Sequence, residues 1–178
     1  MHKANASKSS EPGRAEKSAE PVKSLSDQLI YEIRQCDRID PIIELLAKGA
    51  DVNYSNALGW TPLMYAARNS RIEIAKLLID LGAEVNAKDG KGNNALVYAV
   101  WRNNLGMAVL LLDNGADMTV RDRQAADLIG HAKTWGNLEM ADLLAKRIKD
   151  AIQPLGRGKE ALKVLRRSIE LHGASPGG

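Results

Sequence analysis

The apolar positions of this chain come in clusters that repeat. Leu45-Leu46, Leu78-Ile79 and Leu111-Leu112 each precede a turn segment at the same offset. Those segments read Gly49-Ala50-Asp51-Val52-Asn53, Gly82-Ala83-Glu84-Val85-Asn86 and Gly115-Ala116-Asp117-Met118-Thr119, with their glycines 33 residues apart. A fixed period of this length marks a repeat architecture, in which each unit buries its apolar face only against its neighbours. Each unit divides into two apolar stretches, which predicts a helix pair. The first stretch opens on Thr61-Pro62-Leu63, Asn94-Ala95-Leu96 or Asp127-Leu128-Ile129, again 33 apart. Thr, Asn and Asp accept a bond from an orphan amide of the first turn, and proline suits the first helical position, so helices are expected to start at 61, 94 and 127. The small pairs Ala66-Ala67 and Ala99-Val100 mark where helices must approach closely. The second stretch (Ile72, Ile74, Ala75, Leu77, Leu78, Ile79, then Leu105, Met107, Ala108, Leu110, Leu111, Leu112) is too apolar for a helix with one buried face. It needs neighbours on several sides, and the glycine after it supplies a left-handed stop.

Upstream, Ser26 or Asp27 is the expected cap of a degenerate first unit, with Leu29, Ile30 and Ile33 as its apolar face and Pro41 opening its second helix. The chain lacks Phe, has only 4% aromatic residues and is rich in Ala and Leu, which favours helices over a sheet core. The expected fold is therefore all-α: a solenoid of helix-turn-helix hairpins over residues 25–153, in units of about 26–53, 54–86, 87–119 and 120–150.

These residues resemble the ankyrin repeat, whose pattern runs Asp-x-x-Gly-x-Thr-Pro-Leu-His-x-Ala and closes on Leu-Leu-x-x-Gly-Ala-Asp-Val-Asn. Residues 56–86 follow it best, through Gly59, Thr61, Pro62 and Leu63, with Asn56 for Asp and Met64 for His. Residues 89–119 keep Asp89, Gly92 and Leu96 but carry Ala95 for Pro and Val97 for His. From 122 to about 150 the match weakens: Asp122, Asp127, Ala132 and Gly136 remain, Ala125 takes the Gly position, and the closing Gly-Ala is missing. A terminal unit facing solvent on one side should look like this. About four repeats are expected, counting degenerate caps at both ends.

The resemblance implies a binding surface made of β-turn tips and the exposed face of each first helix, and hence a protein partner. In this chain those positions carry Leu58, Trp60, Arg68 and Asn69, then Lys91, Asn93, Trp101 and Arg102, then Arg123, Gln124 and Trp135. All three tryptophans fall among them, and Trp and Arg are the residues most enriched at interface hot spots. Trp101, in the middle repeat, is the expected central anchor. The competing reading is that Trp60 and Trp135 pack on a neighbouring turn or cap and serve stability. Tyr65, Tyr98 and His131 recur at one position of the unit, which repeat packing explains better than a proton relay.

Charge sharpens this picture. Residues 24–145 carry 12 Lys and Arg against 16 acids, while residues 1–23 and 146–178 are basic, with 5 against 3 and 8 against 3. Residues 157–172 read as a basic amphipathic helix with Leu162, Leu165 and Ile169 on one face. It is expected to cap the last repeat near Leu138, Leu143 and Leu144; the alternatives are contact with a protein partner and contact with nucleic acid or an anionic membrane. Residues 1–24, rich in Ser, Lys, Glu and Pro, read as a disordered tail, and 173–178 as a frayed end. Cys36 is the single cysteine, which suits a reducing compartment and points to the cytoplasm, although a secreted effector also fits this size. His2, His131 and His172 form no i, i+4 pair, and no nucleophile elbow, phosphate loop or dinucleotide fingerprint occurs. Neither catalysis, cofactor nor metal is expected, and a monomer is.

Overall fold

The computed structural model describes residues 24–35, 37–120 and 127–152; among them are eight helices and no strand. They alternate between two layers. The inner layer holds α1 (Leu25–Gln35), α3 (Pro62–Arg68), α5 (Ala95–Trp101) and α7 (Leu128–Thr134). The outer layer holds α2 (Asp40–Ala47), α4 (Ile72–Asp80), α6 (Leu105–Asp113) and α8 (Leu138–Ile152). Each inner helix packs on the outer helix that follows it and on the next inner helix, the nearest-neighbour arrangement expected of a solenoid. Residues 1–23, Cys36, residues 121–126 with Arg123 and Gln124, and everything from 153 onward, including the expected helix over 157–172, lie outside the described residues.

The three expected helix starts are where the sequence places them. The side chains of Thr61, Asn94 and Asp127 accept from the amides of Met64, Val97 and Gly130, each satisfying an orphan donor at N3. The first unit needs a correction. Its cap is Ser24, whose hydroxyl accepts from the Asp27 amide at 3.0 Å while the Asp27 carboxylate accepts from the Ser24 amide at 3.3 Å. Asp27 is thus the reciprocal partner in a capping box. Ser26 faces the other way and accepts from the Asp51 amide at 3.0 Å, tying α1 to the first turn.

The small pairs do what close approach requires, since Ala66, Ala67, Ala99 and Val100 are fully buried between inner helices. Leu29, Ile33, Leu63, Leu78, Leu96, Leu111 and Leu144 fill the space between the layers. Each such side chain contributes roughly 1.5–3 kcal/mol by leaving water. The expectation of apolar surface around Leu138, Leu143 and Leu144 holds only in part: Leu138 is 66% exposed, Leu143 is half-buried, and Leu144 is core at 1%. The outer layer is also less closed at its first unit. Between α2 and α4 runs a recess of about 600 Å³ lined by Ile43, Leu46, Val52, Leu77 and Leu81.

Turns are fastened to one another by side chains. Asn53 donates its amide to the Gly82 carbonyl at 3.1 Å and accepts from the Glu84 amide at 2.7 Å. Asn86 does the same for Gly115 and Asp117, at 3.0 and 2.7 Å. The strut therefore recurs with the repeat. Where two tips meet, the Gly90 amide donates to the Leu58 carbonyl at 2.9 Å, and a Cβ on Gly59 (φ +77°) would lie 2.9 Å from the Gly90 nitrogen. No larger residue fits there without moving backbone.

Candidate functional site

The turn tip of each unit is organised by the acid or amide that opens it. In the first full repeat Asn56 accepts from the amides of Leu58 and Trp60 at 2.9 and 3.0 Å and donates to the Tyr65 hydroxyl at 3.0 Å. In the second, Asp89 accepts from the amides of Lys91 and Asn93 at 2.8 and 2.9 Å, and from the Tyr98 hydroxyl. Asparagine and aspartate thus build the same turn with opposite roles for the tyrosine, which accepts in one repeat and donates in the other. Asp89 is 5% exposed and Tyr98 2%. Burial first, and then the bond to Asp89, push the Tyr98 phenol well above its ordinary pKa.

Asn93 belongs to this network and not to the surface. Expected to touch a partner, it is 1% exposed, because its amide donates to Asp89 inside the turn. The other expected positions among the described residues are reachable. Leu58 is 67% exposed and Trp135 49%. Arg68, Lys91 and Arg102 are exposed, and Trp60, Asn69 and Trp101 are half-buried. Asn69 and Arg102 are also the C-caps of α3 and α5, so their backbone amides close their own helices while the side chains remain outside.

The tryptophans are joined by the residues assigned to packing. Trp60 packs at a tilt on Tyr65 with ring centroids 5.0 Å apart and on Tyr98 at 4.4 Å. Tyr98 meets Trp101 edge-on at 5.3 Å, Trp101 meets His131 edge-on at 6.5 Å, and His131 lies 5.2 Å from Trp135. One aromatic row therefore crosses α3, α5 and α7. The Arg68 guanidinium sits 5.1 Å above the Trp60 ring and that of Arg34 sits 5.8 Å from Tyr65, both within cation–π reach. Arg34 was not singled out by the sequence, because α1 departs from the repeat pattern that locates the other positions.

Trp101 is not the free central anchor that its position in the middle repeat suggests. It is held between Tyr98 and His131, and its indole nitrogen is buried without a hydrogen-bond partner. It supports the row more than it projects from it. Trp135, at the end of the row, has the greater exposure.

Among the described residues no three His, Cys, Asp or Glu side chains form a group able to hold a metal ion, and no helix is long and apolar enough to cross a membrane.

Short paired helices in two layers with cross-linked turns define a helical-repeat scaffold. A family model of ankyrin repeats, in three copies, matches residues 29–122, more than half of the chain. The chain belongs to the ankyrin-repeat family, whose members generally mediate protein–protein interaction and typically carry no catalysis. It is also 36% identical over 56 residues to the mitochondrial disaggregases of Bos taurus and Homo sapiens, a match covering 32% of this chain. The matched stretch spans only 8% of those relatives' length, less than two repeats, so the likeness extends to the repeat alone.

Proposed function

We propose that this chain is a non-enzymatic protein-binding module, of adaptor, inhibitor or effector type, that grips one partner through its turn tips and inner helices. The observation that carries this reading is the aromatic row across α3, α5 and α7 with Arg68 over Trp60. Rings packed on one another, some tilted and some edge-on, lose little freedom on binding, so the area they offer is not offset by the cost of ordering them. Hydrogen-bonded tips beside the row extend the same preorganised surface. A reducing compartment, the cytoplasm first, suits a chain with a single cysteine.

Capture from extract of the source cells tests the proposal. Trp135→Ala should weaken capture by at least ~1.5 kcal/mol while leaving the helical circular dichroism and the melting temperature nearly unchanged. Glu73→Ala, on the exposed outer face of α4, should capture as the parent does. Equal capture by Trp135→Ala would move the binding surface elsewhere.

A further inference from the structure

Charge is divided unevenly between the two layers. The outer helices α2, α4 and α6 contain Asp40, Glu44, Glu73, Asp80 and Asp113 against Lys76 alone, while α8 balances Glu139, Asp142 and Asp150 with Lys146, Arg147 and Lys149. The inner helices α3, α5 and α7 contain no carboxylate; with their C-caps they present Arg68, Arg102 and Lys133, all exposed, and Lys91 joins them from a turn tip. Among the described residues, two acids of the turns beside this face are withdrawn from it. Asp89 and Asp127 are 5% and 8% exposed, the first satisfied by its turn and Tyr98, the second capping α7. Among the described residues no carboxylate lies within ion-pair distance of Arg68, Lys91, Arg102 or Lys133. Several arginines elsewhere do have such partners: Arg71 pairs with Asp37, and Arg147 with Asp113 at 2.6 Å.

We infer that the inner face takes an acidic protein segment, one whose carboxylates alternate with apolar side chains. The inference rests on the interaction surface proposed above and names the chemistry of what it binds. Guanidinium and ammonium groups flank an aromatic floor, so a carboxylate is met by a charge-assisted donor while the residue between two carboxylates lies on a ring. On α1 the charge is mixed, Asp27 and Glu32 standing beside Arg34, whereas α3, α5 and α7 carry no acid, which sets the segment over α3, α5 and α7. A nucleic acid fits less well. The repeat region as a whole carries 16 acids against 12 bases over residues 24–145, and a long polyanion meets that net repulsion. A short segment seated on the inner face answers mainly to charges within a Debye length of about 8–10 Å.

The test is a selection of random displayed peptides on the full chain, followed by affinity measurements on the synthetic peptides recovered. The expected peptides are enriched in Asp and Glu over the starting library. They bind at least tenfold more weakly to Arg68→Gln/Arg102→Gln, more weakly again as salt is raised, and weakly to Trp135→Ala. Both arginines are exposed, and unchanged circular dichroism confirms that the double variant is folded. Peptides that need Trp135 but show no acid enrichment and ignore the arginine substitutions would overturn the acidic preference and leave the binding face standing. Peptides indifferent to all three substitutions, or no recovered peptides at all, would overturn the face together with the preference. Short duplex DNA binding more tightly than any peptide through Arg68 and Arg102 would replace the acidic segment by nucleic acid.

Discussion

Asp89 and Tyr98 show how much one residue can carry in a repeat this short. The buried carboxylate closes the turn through two amides and reaches across to the phenol, so tip and inner helix are one hydrogen-bonded unit. Because the folded state raises the Tyr98 pKa, it holds the phenolic proton more tightly than the unfolded chain, whose tyrosine titrates near pH ~10. The stabilisation is fully present below that pH and declines as pH rises above it. Tyr98→Phe should cost about 1–3 kcal/mol at neutral pH, since a buried carboxylate oxygen loses its shorter hydrogen bond and keeps only the long one from Asn93. It should also flatten the fall in stability on the alkaline side, measured by urea melts across that range. An unchanged alkaline slope would mean that Tyr98 is not the group responsible. The tyrosine hydroxyl's reversal of role between Asn56 and Asp89 has a visible sequence signal, the Asn-for-Asp exchange. Its meaning emerges only once Tyr65 and Tyr98 are seen against their turns.

Within the elements, glycine and the left-handed positions set the joints. Gly49, Gly82 and Gly115 end the outer helices with φ of +96°, +88° and +79°, as the 33-residue register requires. The bend from inner to outer helix is left-handed as well, and there the chain uses Ser70 (φ +60°), Asn103 (φ +51°) and Gly136 (φ +73°) in turn. Substitution can separate the cost of a left-handed backbone from that of a close contact. Gly92 (φ +85°) has open space where a Cβ would go, while Gly59 (φ +77°) would place one against Gly90 and Asp89. Gly92→Ala should lose about 1–2 kcal/mol for conformation alone. Gly59→Ala should lose that and a further ~1–3 kcal/mol for displaced backbone. Equal losses in denaturant titrations would show that the two tips yield without cost.

As a whole, the molecule is a one-dimensional stack whose stability is a sum over neighbours, so the site of damage determines how it fails. Leu96 is fully buried in α5, between units on both sides, and Met140 is fully buried in α8, at the end of the described stack. Either residue changed to Ala should cost roughly 2–5 kcal/mol. Leu96→Ala should shift a single cooperative transition, because the central unit couples its neighbours. Met140→Ala should instead raise amide exchange in α7 and α8 ahead of the rest, and uniform exchange along the stack would contradict the nearest-neighbour picture. The cationic, aromatic inner face is also a property of this scale, assembled from three repeats and present in none alone.

The sequence by itself determined the repeat, its period, the caps of its three later inner helices and its family. Those depend on local chemistry: a polar residue that accepts an amide, a glycine that turns left, apolar pairs at fixed offsets. It also determined which positions fall at turn tips and inner helices, and so where Trp60, Trp101 and Trp135 would cluster. Tertiary structure decided which of these positions are surface. Asn93 and Trp101 occupy expected binding positions in the register, yet one is enclosed by its turn and the other is clasped by Tyr98 and His131. Burial depends on neighbours supplied by other repeats, and a periodic pattern does not distinguish a position from what packs over it. For the same reason the first cap moved to Ser24: several short polar residues stand in line there, and only the direction of each side chain tells the cap from its partner.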